Sequence, residues 1–367
     1  MRKLFYAILL AGLFSYAGPL RAQQVCPGFT IVVNTPEDEL MLAVNGADTP
    51  QEQVAALDTF SKEHADSKFM PCVYEYYTLA YLKLNDFDKV IEYGQKGLEG
   101  GYQDVMLMMN LTKGFVASGK VADAAFDVIM KAPEQIKAES TSARPPSVSD
   151  ADWQKALEEA AEVAKEQRAY MEYAFFQLLP RVPDAAQRLA ILDSFVQAYP
   201  ESPNAGQTNF QYFIASKMAN NIEKADEYGE KAIAADPENV VTLNLVADHY
   251  ATRQVNLDKA AEYATKALAL APNMKKPEGL TDEQFKPALD GQLGLAYATL
   301  GYIEFLKAAK TRKVVPAIQQ FTKAIDLLGG NAELLGRTLY FLGYAYEVMT
   351  PANHRAAADA LTRAASV

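Results

Sequence analysis

Apolar and small residues recur at three- and four-residue spacing along most of this chain, the period of helices that bury one face. The helices come in pairs. In "YTLAYLKLNDFDKVIEYGQKGLEGG" and again in "FIASKMANNIEKADEYGEKAIAADPENV", two amphipathic runs flank a short turn. Ahead of the first pair, "TPEDELMLAVNG" and "TPQEQVAALDTFSKEHA" each open on Thr-Pro, a capping residue followed by a first-turn proline. The run "DADWQKALEEAAEVAKEQRAYMEYAFFQLL" is made of helix formers with Asp150 or Asp152 as its cap, and "DAAQRLAILDSFVQAY" ends at Pro200. Residues 140 to 150, "STSARPPSVSD", are the one evident linker.

The pattern is also self-similar. Residues 53 to 98 align without a gap on residues 188 to 233, at a constant offset of 135. Ala55, Leu57, Asp58 and Phe60 recur as Ala190, Leu192, Asp193 and Phe195. Asn85, Lys89, Glu92, Tyr93, Gly94 and Lys96 recur as Asn220, Lys224, Glu227, Tyr228, Gly229 and Lys231. A duplicated block is the economical reading.

Inside the blocks runs a shorter period of 34 residues, with six matches. The first places Tyr77, Thr78 and Tyr81 on one helix and Phe87, Val90, Gly94 and Gly97 on the next. The second offers Leu111, Thr112 and Phe115, then Val121, Ala124 and Val128. The third has Tyr212, Phe213 and Ser216, then Ile222, Ala225, Gly229, Ala232 and Pro237. The fourth has Val246, Ala247 and Tyr250, then Leu257, Ala260, Ala264, Ala267 and Pro272. The fifth and sixth carry Leu293-Gly294 with Tyr297 and Leu342-Gly343 with Tyr346, followed by Ala317, Phe321 and Ala324 and by Ala357, Leu361 and Ala364. "IEFLKAAKTRKVV" inserts extra residues in the fifth, so its first helix is expected to run on past Tyr302.

These residues resemble the tetratricopeptide-repeat family over roughly 71 to 132 and 206 to 367. The resemblance implies an all-α chain, a right-handed α-solenoid of helix-turn-helix repeats. Gly or Ala at crossing positions lets paired helices approach, large residues fill the groove between them, and no pair buries its apolar face without neighbours. The expected organisation is a leader at 1–22, a helical block at 23–138, the linker at 139–150, a second block at 151–273 and terminal repeats at 274–367.

Arg2 and Lys3 followed by the apolar Leu4 to Phe14, with cleavage after Ala22, read as a secretory signal. The apolar stretch falls short of the roughly 20 residues a spanning helix needs, and no membrane span is expected in the mature chain. The protein is expected to be exported, periplasmic or secreted, and bacterial. The whole chain carries −11; cleavage would leave 32 basic against 46 acidic residues, a net −14. That sign opposes nucleic acid, whose binding depends on Lys and Arg releasing counterions. Cys26 and Cys72 are the only cysteines, and an even pair in an exported chain is a candidate disulfide.

Signals of catalysis are missing. His64, His249 and His354 stand far apart, none with a second His or a Cys at ligand spacing, so no metal is expected. The run from Gly114 to Gly119-Lys120 has the spacing of a phosphate-binding loop. It lacks the Ser or Thr for magnesium and leaves a helix rather than a strand. Asn110-Leu-Thr112 is a formal glycosylation acceptor in a helix. No enzyme activity and no cofactor are expected.

The resemblance implies instead a protein or peptide partner held on the inner face by residues of each first helix. By position that face includes Glu75, Leu79, Leu82, Met106, Met109, Lys113, Phe210, Ile214 and Met218, then Asn244, Asp248, Leu295, Tyr340, Tyr344 and Glu347. Met and aromatic residues suit a helical or extended peptide. Of these, Leu79, Leu82, Met106, Met109, Phe210, Ile214, Asp248, Tyr340 and Tyr344 are the partner-binding candidates. The end of the chain, "ALTRAASV", has no polar capping helix, so its edge is expected to meet a partner or a second copy. The competing reading is a binding module for a small solute or glycan, with Trp153 as the only tryptophan.

Overall fold

A computed structural model describes residues 31–141, 144, 148–277, 279–308 and 311–367. The described residues contain sixteen α-helices, two single turns of 3-10 helix and no strand. They fall into two compact units, one ending at Ser202 and the other spanning Pro203–Val367. The leader, Cys26 and most of the 142–147 stretch of the linker lie outside the described residues.

The N-terminal unit holds α1 (Pro36–Asn45), α2 (Pro50–Glu63), α3 (Met70–Lys83), α4 (Phe87–Glu99), α5 (Val105–Ser118), α6 (Asp123–Ser140), α7 (Asp150–Leu178) and α8 (Ala185–Ala198). The C-terminal unit holds α9 (Ala205–Met218), α10 (Ile222–Ala235), α11 (Val240–Thr252), α12 (Leu257–Leu270), α13 (Asp282–Ala308), α14 (Val315–Leu327), α15 (Ala332–Val348) and α16 (His354–Ser366). The fold is all-α, built from helix-turn-helix pairs of the α-solenoid class. Consecutive helices pack on one another within each unit, except that α8 lies against α6 and meets α7 through the stacked rings of Phe175 and Phe195.

Glycines show how the pairs meet. Gly94 and Gly97 of α4 back onto Leu111 and Leu107 of α5, and Gly114 of α5 backs onto Val90. Partner numbers fall as residue numbers rise, so the two helices are antiparallel. In the C-terminal unit Gly294 and Gly301 of α13 sit against Leu328 and Phe321, and Gly343 of α15 against Leu361 of α16. At these points a side chain on one helix occupies the volume of a missing Cβ on the other, which lets the axes close up.

The helix starts follow their caps. The Thr35 and Thr49 side chains accept from the backbone N–H of Asp38 and Glu52, with Pro36 and Pro50 at the first helical positions. At α2 the Glu52 carboxylate reaches back to the Thr49 N–H, completing a capping box. Thr49→Ala is expected to cost about 1 kcal/mol, read as a lower denaturant midpoint at unchanged slope. The α7 cap differs from expectation: it is Ser149, whose extended backbone lets its hydroxyl accept from the Asp152 N–H. Asp150 and Asp152 lie inside the first turn, where their charge meets the positive end of the helix dipole.

The 135-residue offset governs geometry as well as sequence. Starts of α2, α3 and α4 are repeated at that offset by α8, α9 and α10, and the correspondence continues from α5 to α11, beyond the stretch recognisable as repeated sequence. Asn85 and Asn220 both turn the chain through the left-handed region, with φ of 57° and 52°. Tyr77 stacks on Tyr93 at 4.2 Å, and Tyr212 on Tyr228 at 4.5 Å. Lys96 lies over the Tyr93 ring at 4.8 Å and Lys231 over Tyr228 at 4.9 Å.

Departures from the regular period are local. Helix α13 runs 27 residues, past Tyr302 to Ala308 as the insertion implies. Val121 precedes α6 instead of lying on it, and α7 extends for 29 residues.

Candidate partner-binding faces

In the N-terminal unit Leu79 and Leu82 lie half-buried on α3, and Met106 and Met109 half-buried on α5. Lys113 continues the Met106 and Met109 stripe at the spacing that puts residues on one side of a helix. Helix α7 packs against α5 and brings Tyr170 to this place. Lys113 Nζ donates to Asn110 Oδ1 at 3.1 Å and stands 5.8 Å from the centre of the Tyr170 ring.

This constellation is short of acceptors. Asn110 is 1% exposed, and its Nδ2, like the Tyr170 hydroxyl, is buried with no hydrogen-bond partner among the described residues. Burial pushes the Lys113 ammonium below the ordinary lysine range and the Tyr170 phenol above its own. Each orphaned buried donor carries its desolvation cost without return. An oxygen acceptor beside Lys113, above all an anionic one, would answer its charge.

The C-terminal unit has a different face. Phe210 and Ile214 on α9 are half-buried against the core beneath, and Asp248 on α11 is half-buried. Arg337 of α15 makes an ion pair with Asp248 although the two are 89 residues apart. Helix α13 contacts both α11 and α15, so the pair spans the helix between them. A mainly apolar recess of about 180 Å³ lies there, lined by Tyr302, Phe321, Arg337 and Phe341. Tyr340 and Tyr344 remain 53% and 49% exposed, with Tyr344 5.5 Å from Phe305. Burial lowers the Lys217 pKa on α9, and Asp248 partly offsets that.

Other expected face residues sit elsewhere. Glu75, Asn244 and Leu295 are 3%, 1% and 9% exposed and belong to the interior. Asn244 Nδ2 donates to both the backbone and side-chain oxygens of Gln292 at 2.9 Å. Sequence reading missed Asn110, Tyr170, Lys217 and Arg337. The available signal was a polar Asn and Lys three apart in an otherwise apolar helix. Gly114 of the phosphate-loop look-alike lies inside α5 against Val90, Gly119 is a left-handed C-cap, and Lys120 pairs with Asp88 at 2.7 Å.

The histidines are dispersed, His249 buried 2.8 Å from Asp226 and His354 2.9 Å from Glu347. No group of three metal-ligating side chains converges among the described residues. No described helix is long and apolar enough to cross a membrane. Cys72 is fully buried and disulfide-bonded.

No family model and no curated protein matches this chain. Among solved structures it is similar to the crystal structure of yeast Tom70, at 14% identity over 84% of this chain and 94% of that one, with a TM-score of 0.23. A likeness that loose adds nothing to the geometry above.

Proposed function

We propose that the chain is a non-catalytic interaction scaffold of the tetratricopeptide type, exported to a bacterial cell envelope, that holds a protein or peptide on the first-helix faces of its repeats. The observation that carries this reading is the half-buried Lys113, whose ammonium meets only the Asn110 amide oxygen and the Tyr170 ring among the described residues. In an otherwise acidic chain, a half-buried cation with no carboxylate partner among the described residues is costly unless an outside group answers it. The neighbouring Met106 and Met109 offer adaptable apolar contact. The partner segment would therefore be apolar with an acidic group. Tyr340 and Tyr344 supply rigid amphipathic anchors of the kind that dominate interfaces.

The test is crosslinking in intact cells followed by purification from the envelope fraction. Wild type is compared with a variant carrying Met109→Glu, Phe210→Glu and Tyr344→Glu that retains its helical spectrum and melting. One specific protein is expected to disappear from the variant's crosslinks. An unchanged set would remove these faces from consideration.

A further inference from the structure

The duplication allows one corner of the fold to be compared with its own copy. In the first copy Phe69, Cys72 and Tyr76 join Tyr102 and Leu107 in a closed apolar cluster. At the 135 offset the second copy has Asn204, Gln207 and Gln211. The helices begin at equivalent positions, so the difference lies in the side chains. Where the first copy is sealed, the second has a groove of about 500 Å³ lined by those three amides, Asn239, Asp236 and Phe210.

We propose that this groove is a subsite for a neutral, polyhydroxylated ligand, a saccharide of one or two rings. Its size falls within the range of small-molecule sites. No Lys or Arg lines it, and the one ionisable group is the Asp236 carboxylate, so it is not an anion site. Each primary amide offers donors and an acceptor side by side, as each hydroxyl of a sugar does. Gln207 and Gln211 have no side-chain hydrogen-bond partner among the described residues. Asn239 retains spare capacity after capping α11 and donating to Asp236 at 3.1 Å. Phe210, half-buried against the core, contributes the apolar part of the lining.

The density of these groups separates a sugar from a peptide backbone. Asn204 to Gln211 spans about 10 Å of helix. An extended peptide presents the N–H and C=O of every second residue to one edge, about one pair per 7 Å. The Gln207 and Gln211 amides, one helical turn apart with Asn239 beside them, exceed what such an edge can use. Adjacent ring hydroxyls match them.

The intact protein is titrated by calorimetry and by saturation-transfer NMR with maltose, cellobiose, lactose and di-N-acetylchitobiose at millimolar concentration. At least one is expected to bind. Gln207→Ala and Gln211→Ala, both helix-compatible changes away from the core, should each weaken it roughly five- to tenfold. Lys113→Met, in the other unit, should leave it unchanged, which keeps this result separate from the peptide-scaffold reading. If no member of the panel binds, or binding persists in both amide variants, the groove is only a hydrated polar surface and the proposal fails. Binding of a neutral Ser- and Gln-containing peptide at these residues, with the sugars silent, would overturn it in favour of backbone recognition.

Discussion

Gly301→Leu should lower the stability of the chain by about 3 kcal/mol, the upper part of the range for overpacking a closed core. A Cβ at this position would stand 2.7, 2.8 and 3.1 Å from three atoms of the Phe321 ring. That ring is 1% exposed and cannot swing aside as the end of a flexible chain could. Ala317 and Ala324, both fully buried on the same helix, leave α14 no slack. The helices must therefore separate, and because α13 also packs on α12 and α15, the strain reaches three contacts at once. Gly291, on the same helix, has nothing within 4 Å of its would-be Cβ. Gly291→Ala should instead gain about 0.5–1 kcal/mol, the usual difference in helix propensity. Urea midpoints of the two variants should move in opposite directions. A Gly301→Leu protein as stable as wild type would show that α13 and α14 do not meet in this register.

The contrast between those two glycines also shows what a sequence can convey. Apolar spacing, Thr-Pro starts and small residues at the crossing positions are local signals, and they located the helix pairs and the long α13. Geometry at the 135 offset persists into α5 and α11 because side chains drifted while helix starts and turn residues such as Asn85 and Asn220 stayed. Facing was harder to read. Glu75, Asn244 and Leu295 hold first-helix positions, but each lies beneath a neighbouring element, and which neighbour covers a position is a tertiary fact. Tyr170 was invisible as a partner of Lys113 because it comes from the divergent α7, outside the regular period. The pairing of Asp248 with Arg337 depends likewise on α13 bringing two distant repeats within reach.

Lys113→Met should stabilise the free protein while weakening its hold on the partner. Methionine keeps the length and flexibility of the side chain and removes a charge that burial disfavours; set against the Asn110 Oδ1 it leaves without a donor, the net gain should be below about 1 kcal/mol near neutral pH. The sign follows from proton binding. The folded lysine has a lowered pKa and releases its proton before the unfolded one, whose value is about 10.4. Through the interval just below that value the unfolded state binds more protons, so wild-type stability rises with pH. The methionine variant's advantage should thus be complete at pH 7 and shrink as the pH climbs toward 10. Binding should change in the other direction. Losing one member of a desolvated charge pair costs about 2–3 kcal/mol, roughly a hundredfold in Kd. Tyr170→Phe, which removes only the orphaned hydroxyl, should weaken binding less and leave the pH profile intact. A Lys113→Met protein that melts lower and captures the same partner undiminished would make this lysine part of the framework, and the partner's acidic group would have to be sought opposite Lys217 instead.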